Sequence, residues 1–520
     1  MFSLAEIART QATERPDKSA LICDDRTLTY AELDAESSQV ANALVEAGVG
    51  SQDRVGYVGK NIPEYFTLLF GAAKVNAVTV AVNWRLAPPE MAYILDNAEA
   101  KVVLVEAEFL DHIAKMDLPR QPLIVAVGGD SAHRTYADLI DGQPTSDPGY
   151  PTAIDDTAVQ LYTSGTTGLP KGAEISNRNL GAIIEPLSAM IGMSAKSVVL
   201  HVLPLFHIGG SGVAIIGLAN GGTNVVHRDV DPARMLADIP GHGVTTGFFV
   251  PALLQVLPMI PGASDVDFSS LEYIFYGASP ITEEVLVSSM ALLKCPHAQA
   301  YGLTETTGVV TWLPAEDHDP SGPRANLLRS AGKPVGGVEL RIVGEDGGDV
   351  ADGEVGEIWV RTNQNMKGYW RNTAATDEVF PEGRDDEGLG WFRTGDAGYV
   401  NDGYLFIHDR VKDMIVSGGE NIYPAEIENA IMAHPGVADV AVIGIPSDRW
   451  GESPLALIIP KPGEDPSEDD IIAHCAERLA RFKLPARVER IEEIPRNPSG
   501  KILKVELRKP YWAGRDRAVN

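Results

Sequence analysis

The stretch that decides how this chain is interpreted is Tyr162-Thr-Ser-Gly-Thr-Thr-Gly-Leu-Pro-Lys-Gly172. It follows an apolar run, Thr157–Leu161, as a loop after a buried strand would. Its three glycines let backbone N–H groups approach an anion, its hydroxyls add donors, and Lys171 adds positive charge. It is not a Walker A loop, because no Gly-Lys-Ser/Thr sequence closes it. We predict a phosphate-binding loop here, and an ordinary Gly/Thr-rich surface loop is the alternative.

Around this loop, helical and strand patterns alternate. Thr29-Tyr-Ala-Glu32 fits a capping box, and apolar residues then recur on one helical face until Gly48. Helices between buried strands indicate a layered, mostly parallel α/β sheet. Four short segments have the pattern of buried strands: Val55–Val58, Val78–Val82, Lys101–Val105 and Leu123–Val127.

The pattern changes beyond Gly332. Short strand patterns separated by Gly/Asp turns indicate a small β-rich subdomain, and a tail of mixed strands and helix follows from about Val411. The predicted fold class is therefore α/β. We expect a large N-terminal body of layered α/β sheets plus the β-rich subdomain over residues 1–410, and a small mobile α+β C-terminal domain over residues 411–520.

Composition excludes several functional classes. The 520 residues carry 43 basic and 72 acidic side chains, and the resulting net charge of −29 works against binding to nucleic acid or to anionic membranes. Three scattered cysteines show no metal-ligand spacing, which favours a reducing compartment. Since no signal peptide and no apolar run of about 18 residues is present, we expect a cytoplasmic protein without an integral membrane segment. Whether it forms a homodimer is left open.

Six further motifs follow in order. They are Pro204-Leu-Phe-His-Ile-Gly-Gly210, Tyr276-Gly-Ala-Ser279, Tyr301-Gly-Leu-Thr-Glu-Thr306, Trp391-Phe-Arg-Thr-Gly-Asp396, Asp409-Arg-Val-Lys-Asp-Met-Ile-Val-Ser-Gly-Gly-Glu-Asn-Ile-Tyr-Pro424 and Arg496-Asn-Pro-Ser-Gly-Lys-Ile-Leu-Lys504. With the glycine-rich loop, they closely resemble the adenylate-forming superfamily of acyl-CoA synthetases, nonribosomal-peptide adenylation domains and firefly luciferase. The resemblance is collinear from about Leu28 to Leu507. It implies an ATP-dependent acid–CoA ligase that forms an acyl-adenylate and then an acyl-CoA.

The resemblance also implies a nucleotide and Mg²⁺ site. In it, Tyr301 stacks on adenine, Asp396 accepts from the ribose hydroxyls, and Glu305 holds Mg²⁺ together with Thr163. One carboxylate and one hydroxyl suit a hard cation that also binds phosphate oxygens. Outside this motif, a glutamate would simply be a solvated surface residue. The implied ATP/AMP-binding residues are Thr163, Ser164, Gly165, Thr166, Thr167, Gly168, Lys171, Gly277, Ala278, Tyr301, Thr304, Asp396, Arg410 and Lys501.

Four residues are expected to be catalytic by resemblance. Lys501 inserts into the adenylation site, and Thr304 and Glu305 serve the α-phosphate and the metal. His207 lies beside the acyl pocket and places the carboxylate, with a satisfied core histidine as the alternative. Lys412 matches the hinge about which the C-terminal domain turns.

The acyl pocket and the CoA site are also implied by resemblance. The pocket residues are His207, Ile208, Val250, Gly277, Ala278, Gly302, Val309 and Val310. Acetate-specific relatives carry a tryptophan where Gly302 stands, so we expect a deeper apolar pocket. It would accept a medium- or long-chain fatty acid, with an aryl or alicyclic acid as the close alternative. The CoA-binding residues are Gly418, Gly419, Trp450 and Phe482, with a structural role left open for the two aromatic residues.

Two other functions compete with the CoA ligase. The first is an adenylating enzyme that loads a carrier-protein phosphopantetheine, and the second is an inactive nucleotide- or acyl-binding module. Intact Glu305, Asp396, Arg410 and Lys501 argue against the second.

Overall fold

The computed structural model describes residues 2–163, 169–279, 281–417, 420–447, 449–496 and 501–513. The predicted phosphate-loop residues Ser164, Gly165, Thr166, Thr167 and Gly168 and the predicted CoA-tunnel residues Gly418 and Gly419 lie outside the described residues. Strands and helices are numbered along the chain.

Two large sheets form the body of the protein. Sheet A contains β1 (Ser19–Cys23), β2 (Arg26–Thr29), β10 (Val198–His201), β11 (Thr223–Val226), β12 (Thr246–Phe249), β13 (Tyr273–Gly277), β14 (His297–Leu303), β15 (Gly308–Leu313) and β16 (Lys333–Pro334). Sheet B contains β3 (Arg54–Val58), β4 (Val78–Val82), β5 (Val102–Glu106), β6 (Leu123–Val127), β7 (Arg134–Thr135), β8 (Thr157–Thr163), β9 (Lys171–Ser176) and β19 (Gly368–Tyr369).

Both sheets are parallel at their centres, and sheet A is antiparallel at both edges whereas sheet B is antiparallel at one edge only. Sheet A runs in the order β16-β15-β14-β13-β12-β10-β11-β1-β2, and sheet B in the order β19-β9-β8-β4-β3-β5-β6-β7. In sheet A, β1 and β10 to β14 are parallel, while β2, β15 and β16 are antiparallel to their neighbours. In sheet B, β8–β9 and β9–β19 are the antiparallel pairs. Central strands such as β3 and β4 are buried throughout, as strands covered on both faces must be.

The helices are α1 (Leu4–Glu14), α2 (Tyr30–Glu46), α3 (Pro63–Lys74), α4 (Pro88–Ala98), α5 (Leu110–Ile113), α6 (Tyr136–Ile140), α7 (Asn177–Met190), α8 (Ile208–Ala219), α9 (Pro232–His242), α10 (Pro251–Val256), α11 (Glu283–Leu293), α12 (Thr373–Val379), α13 (Pro424–Met432), α14 (Glu468–Ala476) and α15 (Lys504–Trp512). Helices α1 to α11 cover the faces of the two large sheets, whereas α13 and α14 pack in a separate core. The predicted capping box is confirmed, because the Thr29 side chain accepts from the Glu32 backbone and Glu32 accepts from Thr29.

The largest core lies between the two sheets. It contains side chains of α1, α2, α3 and α8 together with both sheets, for example Leu21 of β1 and Leu104 of β5. A second core joins α7, α9, α10 and α11 to the other face of sheet A, and α4 covers the other face of sheet B. The body is therefore layered as helix, sheet, helix, sheet, helix.

Two smaller sheets complete the chain. Sheet C is antiparallel, in the order β17 (Val338–Val343), β18 (Gly356–Thr362), β20 (Phe392–Asn401) and β21 (Tyr404–Arg410). Sheet D consists of β22 (Ile415–Ser417), β23 (Glu420–Ile422), β24 (Val437–Ser447), β25 (Gly451–Pro460) and β26 (Arg487–Arg490), with its own apolar core. The predicted fold class is confirmed, and the domain boundary at residues 410 and 411 stays a prediction. None of the described helices is long and apolar enough to cross a membrane.

Candidate active site

The predicted site residues gather at the carboxyl ends of strands from both large sheets. Strand β8 ends at Thr163, β13 ends at Gly277, and β14 leads into a short 3₁₀ turn, Thr304–Thr306. In open α/β sheets, ligands bind beyond the carboxyl ends of the strands. Motifs that are far apart in the sequence thus meet along one crevice.

Glu305 links the two sheets. Its carboxylate Oε1 accepts from the Thr163 hydroxyl at 3.0 Å and from the Tyr369 hydroxyl at 2.9 Å. Its side chain is buried, and its backbone carbonyl accepts from Met366 at 2.8 Å. Two donors on one oxygen fix the orientation of this carboxylate. Sequence reasoning predicted the pair Glu305 and Thr163 but missed Tyr369.

Tyr369 also contacts the end of the glycine-rich loop. It belongs to β19, which pairs with β9, so Tyr369 lies opposite Ala173. The Lys171 ammonium lies 5.2 Å from the centroid of the Tyr369 ring, within range of a cation–π interaction. Thr163 and Lys171 face each other in the β8–β9 hairpin, so the two ends of the loop are held together.

These residues fit a magnesium ion shared with a nucleotide. Mg²⁺ prefers oxygen ligands and commonly uses one or two carboxylates plus substrate phosphates. Glu305 and Thr163 supply a carboxylate and a hydroxyl that are already in contact. Within the described ranges, no group of three or more His, Cys, Asp or Glu side chains could hold a metal by itself. Glu305 and Thr163 therefore suit a metal ion that also takes phosphate oxygens as ligands.

The predicted adenosine residues also meet. The Tyr301 hydroxyl donates to Asp396 Oδ2 at 2.8 Å, and Asp396 is buried. In the β20–β21 pair, the backbone of Arg410 lies opposite Asp396. A carboxylate has two oxygens with about four acceptor positions, a chemistry that suits the two hydroxyls of a ribose diol.

The backbone after β13 approaches this crevice closely. Ala278 has a left-handed conformation, with φ of 68°, which costs about 1–2 kcal/mol for a residue with a Cβ. A Cβ on Gly277 would lie 2.1 Å from the carbonyl oxygen of Ala300. Only glycine therefore fits at position 277, and strained backbone of this kind is concentrated at binding sites.

His207 is the residue immediately before α8. Its Nε2 atom is buried and has no hydrogen-bond partner within the described part of the chain. Burial, and to a lesser extent the charge of Arg85, lower the pKa of His207 to about 4. The imidazole is therefore neutral at pH 7, and a buried ring nitrogen without a partner is costly unless a ligand satisfies it.

An apolar cavity of about 90 Å³, the acyl cavity, lies beside Tyr301 between α7, α8 and the strand ends of sheet A. Four predicted pocket residues line it: Ile208, Ala278, Gly302 and Val309. Sequence reasoning missed the wall that α7 contributes. Those residues are Leu180, Ile183, Ile184 and Leu187, and their helical spacing of i, i+3, i+4 and i+7 was the signal that could have found them.

The other four predicted pocket residues do not line the acyl cavity. Val310 packs in the core beside sheet C with Ile358 and Val360, because adjacent residues of a strand point to opposite faces. Val250 is buried in the core of sheet A just before α10. Gly277 and His207 adjoin lining residues, Ala278 and Ile208, without lining the cavity themselves.

Gly302 has a second reason to be glycine. A Cβ at this position would lie 1.5 Å from the carbonyl oxygen of Gly308. The β14–β15 pairing shifts register between Tyr301 and Gly302, and the two backbones approach closely there. The absence of a side chain therefore allows the strand pairing as well as the depth of the cavity.

The C-terminal motif has one structural lysine. The Lys504 ammonium is buried and lies 3.0 Å from the Glu428 carboxylate, so this lysine stabilises the small domain. Lys501, three residues earlier, is half-buried in the described structure. At the junction to this domain, the Arg508 guanidinium pairs with Asp413 and donates to the Lys412 carbonyl at 3.4 Å.

Trp450 and Phe482 lie on the surface, with 48% and 47% of their areas exposed. They are near the same end of sheet D, because β25 and β26 run parallel with Leu455 opposite Arg487. The Arg449 guanidinium lies 4.4 Å from the Trp450 ring. Exposed aromatic rings next to cations can receive a nucleotide base and its phosphates.

Comparison with known proteins agrees with this arrangement. Residues 8–370 match the family of AMP-binding enzymes, and residues 426–501 match the AMP-binding enzyme C-terminal domain. The chain belongs to this adenylate-forming family.

Several of its relatives are named as acid–thiol ligases. The chain is 42% identical to the fatty acid–[acyl-carrier-protein] ligase ScoC of Streptomyces coeruleorubidus, covering 100% of this chain and 98% of that protein. It is 35% identical to the long-chain-fatty-acid–CoA ligase FadD13 of Mycobacterium tuberculosis, covering 99% of both. The structure of the anthranilate CoA ligase AuaEII with anthranoyl-AMP matches with a TM-score of 0.88 at 29% identity, covering 98% and 97% of the two chains.

Proposed function

We propose that this protein is an ATP-dependent acid–CoA ligase that forms an acyl-adenylate with release of pyrophosphate and then an acyl-CoA. The observation that carries the proposal is the position of Tyr301. It binds Asp396 on the nucleotide side and lines the apolar acyl cavity on the other. An adenosine and an apolar acid would therefore meet at this residue.

In the first half-reaction, an oxygen of the acid attacks the α-phosphorus and pyrophosphate leaves in line. Charge gathers on oxygens throughout, so the protein must place and stabilise charge and needs no nucleophile of its own. Bound Mg²⁺ would neutralise phosphate charge. Glu305, oriented by Thr163 and Tyr369, is the carboxylate that would hold it. Lys501 contributes the positive charge of the C-terminal domain.

His207 would orient the acid. A neutral imidazole has one N–H donor and one acceptor nitrogen, so its buried Nε2 would bind the substrate carboxyl group without adding a charge. This assignment is a positioning role, because no proton needs to be removed from a carboxylate that attacks as an anion.

In the second half-reaction, the thiol of CoA displaces AMP from the acyl carbonyl. We propose that the small domain turns about Lys412, which withdraws Lys501 and brings the segment of Gly418 and Gly419 to the cavity. Trp450 and Phe482 would then contact the nucleotide end of CoA. Rigid-body closure about a short hinge is a common way to change a site between two reactions.

The lining of the cavity favours an apolar monocarboxylic acid. Among the described residues that line the cavity, none is Asp, Glu, Lys or Arg, so they offer no charged partner to a second carboxylate. A medium- or long-chain fatty acid fits this lining, and a single-ring aryl acid is the alternative. Cytoplasmic residence stays a prediction from the sequence, and whether the protein forms a homodimer stays open.

A carrier-protein phosphopantetheine is the second candidate acceptor. The observation that favours it is the 42% identity to a fatty acid–[acyl-carrier-protein] ligase, against 35% to a fatty acid–CoA ligase. Both acceptors present the same terminal thiol, so the adenylation half-reaction would be identical.

Pyrophosphate release tests the proposal. The protein is incubated with ATP, MgCl₂ and a panel of fatty, aryl and dicarboxylic acids, with no thiol, with CoA, or with a holo carrier protein. Multiple turnovers on apolar acids with CoA support the ligase. Release limited to a single turnover unless the carrier protein is present supports the carrier protein as the acceptor. No pyrophosphate release with any acid contradicts both candidate functions.

A further inference from the structure

A second cavity lies on the outer side of the acyl cavity, along the same walls. This outer cleft has a volume of about 470 Å³ and is open to solvent. Its lining is mixed. Met190, Trp312 and Val335 are apolar, and the charged lining residues are Glu316, Asp317, Arg324 and Lys333.

Helix α7 and strand β15 form a wall of both cavities. On α7, Leu187 lines the acyl cavity and Met190 lines the outer cleft. These residues are three apart, so they lie about one turn apart on the same side of the helix. On β15, Val309 lines the acyl cavity and Trp312 lines the outer cleft.

The irregularity in β15 brings Val309 and Trp312 to the same face. Residues three apart on a regular strand point to opposite faces. The register shift between β14 and β15 leaves Val310 as an extra residue between Val309, opposite Gly302, and Thr311, opposite Tyr301. Val309 and Trp312 accordingly belong to one apolar core, and Val310 belongs to another.

Aromatic rings lie between the two cavities. Phe275 lines the acyl cavity, and its ring centroid lies 5.8 Å from that of Trp312, which lines the outer cleft. Phe248, also on the acyl cavity, stacks on Phe275 at 5.0 Å. Here the wall between the acyl cavity and the outer cleft therefore consists of side chains that pack against each other.

We propose that Trp312, packed on Phe275, closes the distal end of the acyl cavity and limits the length of the acyl chain. The native substrate is then a medium-chain acid whose methyl end meets this aromatic pair. Removing the indole joins the acyl cavity to the outer cleft, and a long chain runs out along Met190. The proposal rests on the proposed ligase activity and names its substrate class.

The test compares octanoate and palmitate in the wild-type protein and in Trp312→Leu. The measurement is kcat/KM for pyrophosphate release with ATP and CoA. We expect the wild type to favour octanoate by about tenfold or more, since steric rejection in an apolar pocket reaches that size. Trp312→Leu should reverse or cancel this preference, because the indole no longer blocks the longer chain. Trp359→Leu, a tryptophan of sheet C, is the matched control and should leave the preference unchanged.

A rim variant tests whether the chain enters the outer cleft. Met190 is partly exposed, so Met190→Glu does not disturb a core. In the Trp312→Leu background, it places a carboxylate beside the chain and should lower kcat/KM for palmitate about tenfold and spare octanoate. Binding of non-reactive octanoyl- and palmitoyl-adenylate analogues, measured by calorimetry, should show the same pattern without turnover.

Three results would overturn the proposal. They are equal use of octanoate and palmitate by the wild type, an unchanged preference in Trp312→Leu, and equal loss of both acids. If Trp312→Leu does not fold, Trp312→Phe makes a smaller opening and should move the preference in the same direction. A wild-type protein that releases no pyrophosphate with any acid would instead contradict the proposed function.

Discussion

Tyr369→Phe removes one of the two hydroxyl groups that donate to Glu305 Oε1, and leaves the ring in place. The phenyl ring still packs in its core and still faces the Lys171 ammonium. The substitution therefore removes the hydrogen bond that Tyr369 donates to the carboxylate that we propose as the Mg²⁺ ligand.

The size of the effect follows from that bond. A hydrogen bond to a charged group contributes about 1.5–3 kcal/mol. Because the Thr163 hydroxyl remains on the same oxygen, we take the lower value, about 1.5 kcal/mol, which corresponds to a factor of about ten. We therefore expect the MgCl₂ concentration for half-maximal adenylation to rise about tenfold. Thioester formation from preformed acyl-adenylate should be unchanged.

The assay is pyrophosphate release as a function of MgCl₂, combined with Mn²⁺ binding measured by EPR in the presence of a non-hydrolysable ATP analogue. Tyr136→Phe is the matched control. The Tyr136 hydroxyl also donates to a carboxylate, that of Glu36 at 2.8 Å, but between α6 and α2, away from the site. An unchanged metal dependence in Tyr369→Phe, or an equal change in Tyr136→Phe, would refute the role of Tyr369 in orienting Glu305.

Further outcomes follow from other parts of the structure. Lys501→Ala should abolish adenylation and spare thioester formation from preformed acyl-adenylate, whereas Lys504→Met should lower the free energy of unfolding by about 3 kcal/mol through its broken ion pair. Equal loss of both half-reactions in Lys501→Ala would contradict this division. Gly302→Ala should lower the free energy of unfolding, measured in urea, by about 3 kcal/mol because the new Cβ clashes with a backbone oxygen. Gly241→Ala, where a Cβ meets no neighbour, should change the same free energy by less than about 1 kcal/mol. Burial lowers the pKa of His201 from 6.5 to about 4. As the pH falls from about 6.5 to about 4, His201 takes up a proton in the unfolded chain but not in the folded protein, so the free energy of unfolding decreases over this range. In His201→Gln, this decrease in the free energy of unfolding, measured in urea, should be smaller by up to about 3 kcal/mol. An unchanged pH profile would show that His201 does not cause the decrease.

Much of the fold could be predicted from local sequence. The continuous apolar run of β4 at Val78–Val82 and the capping box at Thr29 are encoded within a few residues, and the structure has both where they were expected. The motif residues Thr163 and Glu305 could be paired because the resemblance supplied their common ligand. In the structure, the Thr163 hydroxyl donates to Glu305 at 3.0 Å, and their shared Mg²⁺ stays a prediction.

What the sequence did not reveal depends on contacts between distant segments. Tyr369 reaches Glu305 only because a two-residue strand pairs with β9 at the edge of sheet B, and no local pattern predicts that pairing. The α7 wall of the acyl cavity had the correct periodicity, but periodicity does not say which helical face meets a ligand. Val310 was placed in the pocket by resemblance, and only the register shift in the β14–β15 pairing shows that Val309 and Val310 belong to different cores.

The measurement that tests the central claim most directly uses octanoate labelled with ¹⁸O in its carboxyl group. The protein converts it with ATP and CoA, and the AMP and pyrophosphate are analysed by mass spectrometry. If the acid oxygen attacks the α-phosphorus, one labelled oxygen remains on AMP when the thiol displaces it, and pyrophosphate carries none. Label in pyrophosphate or in inorganic phosphate, or unlabelled AMP alongside the thioester, would contradict the acyl-adenylate and with it the role assigned to this site.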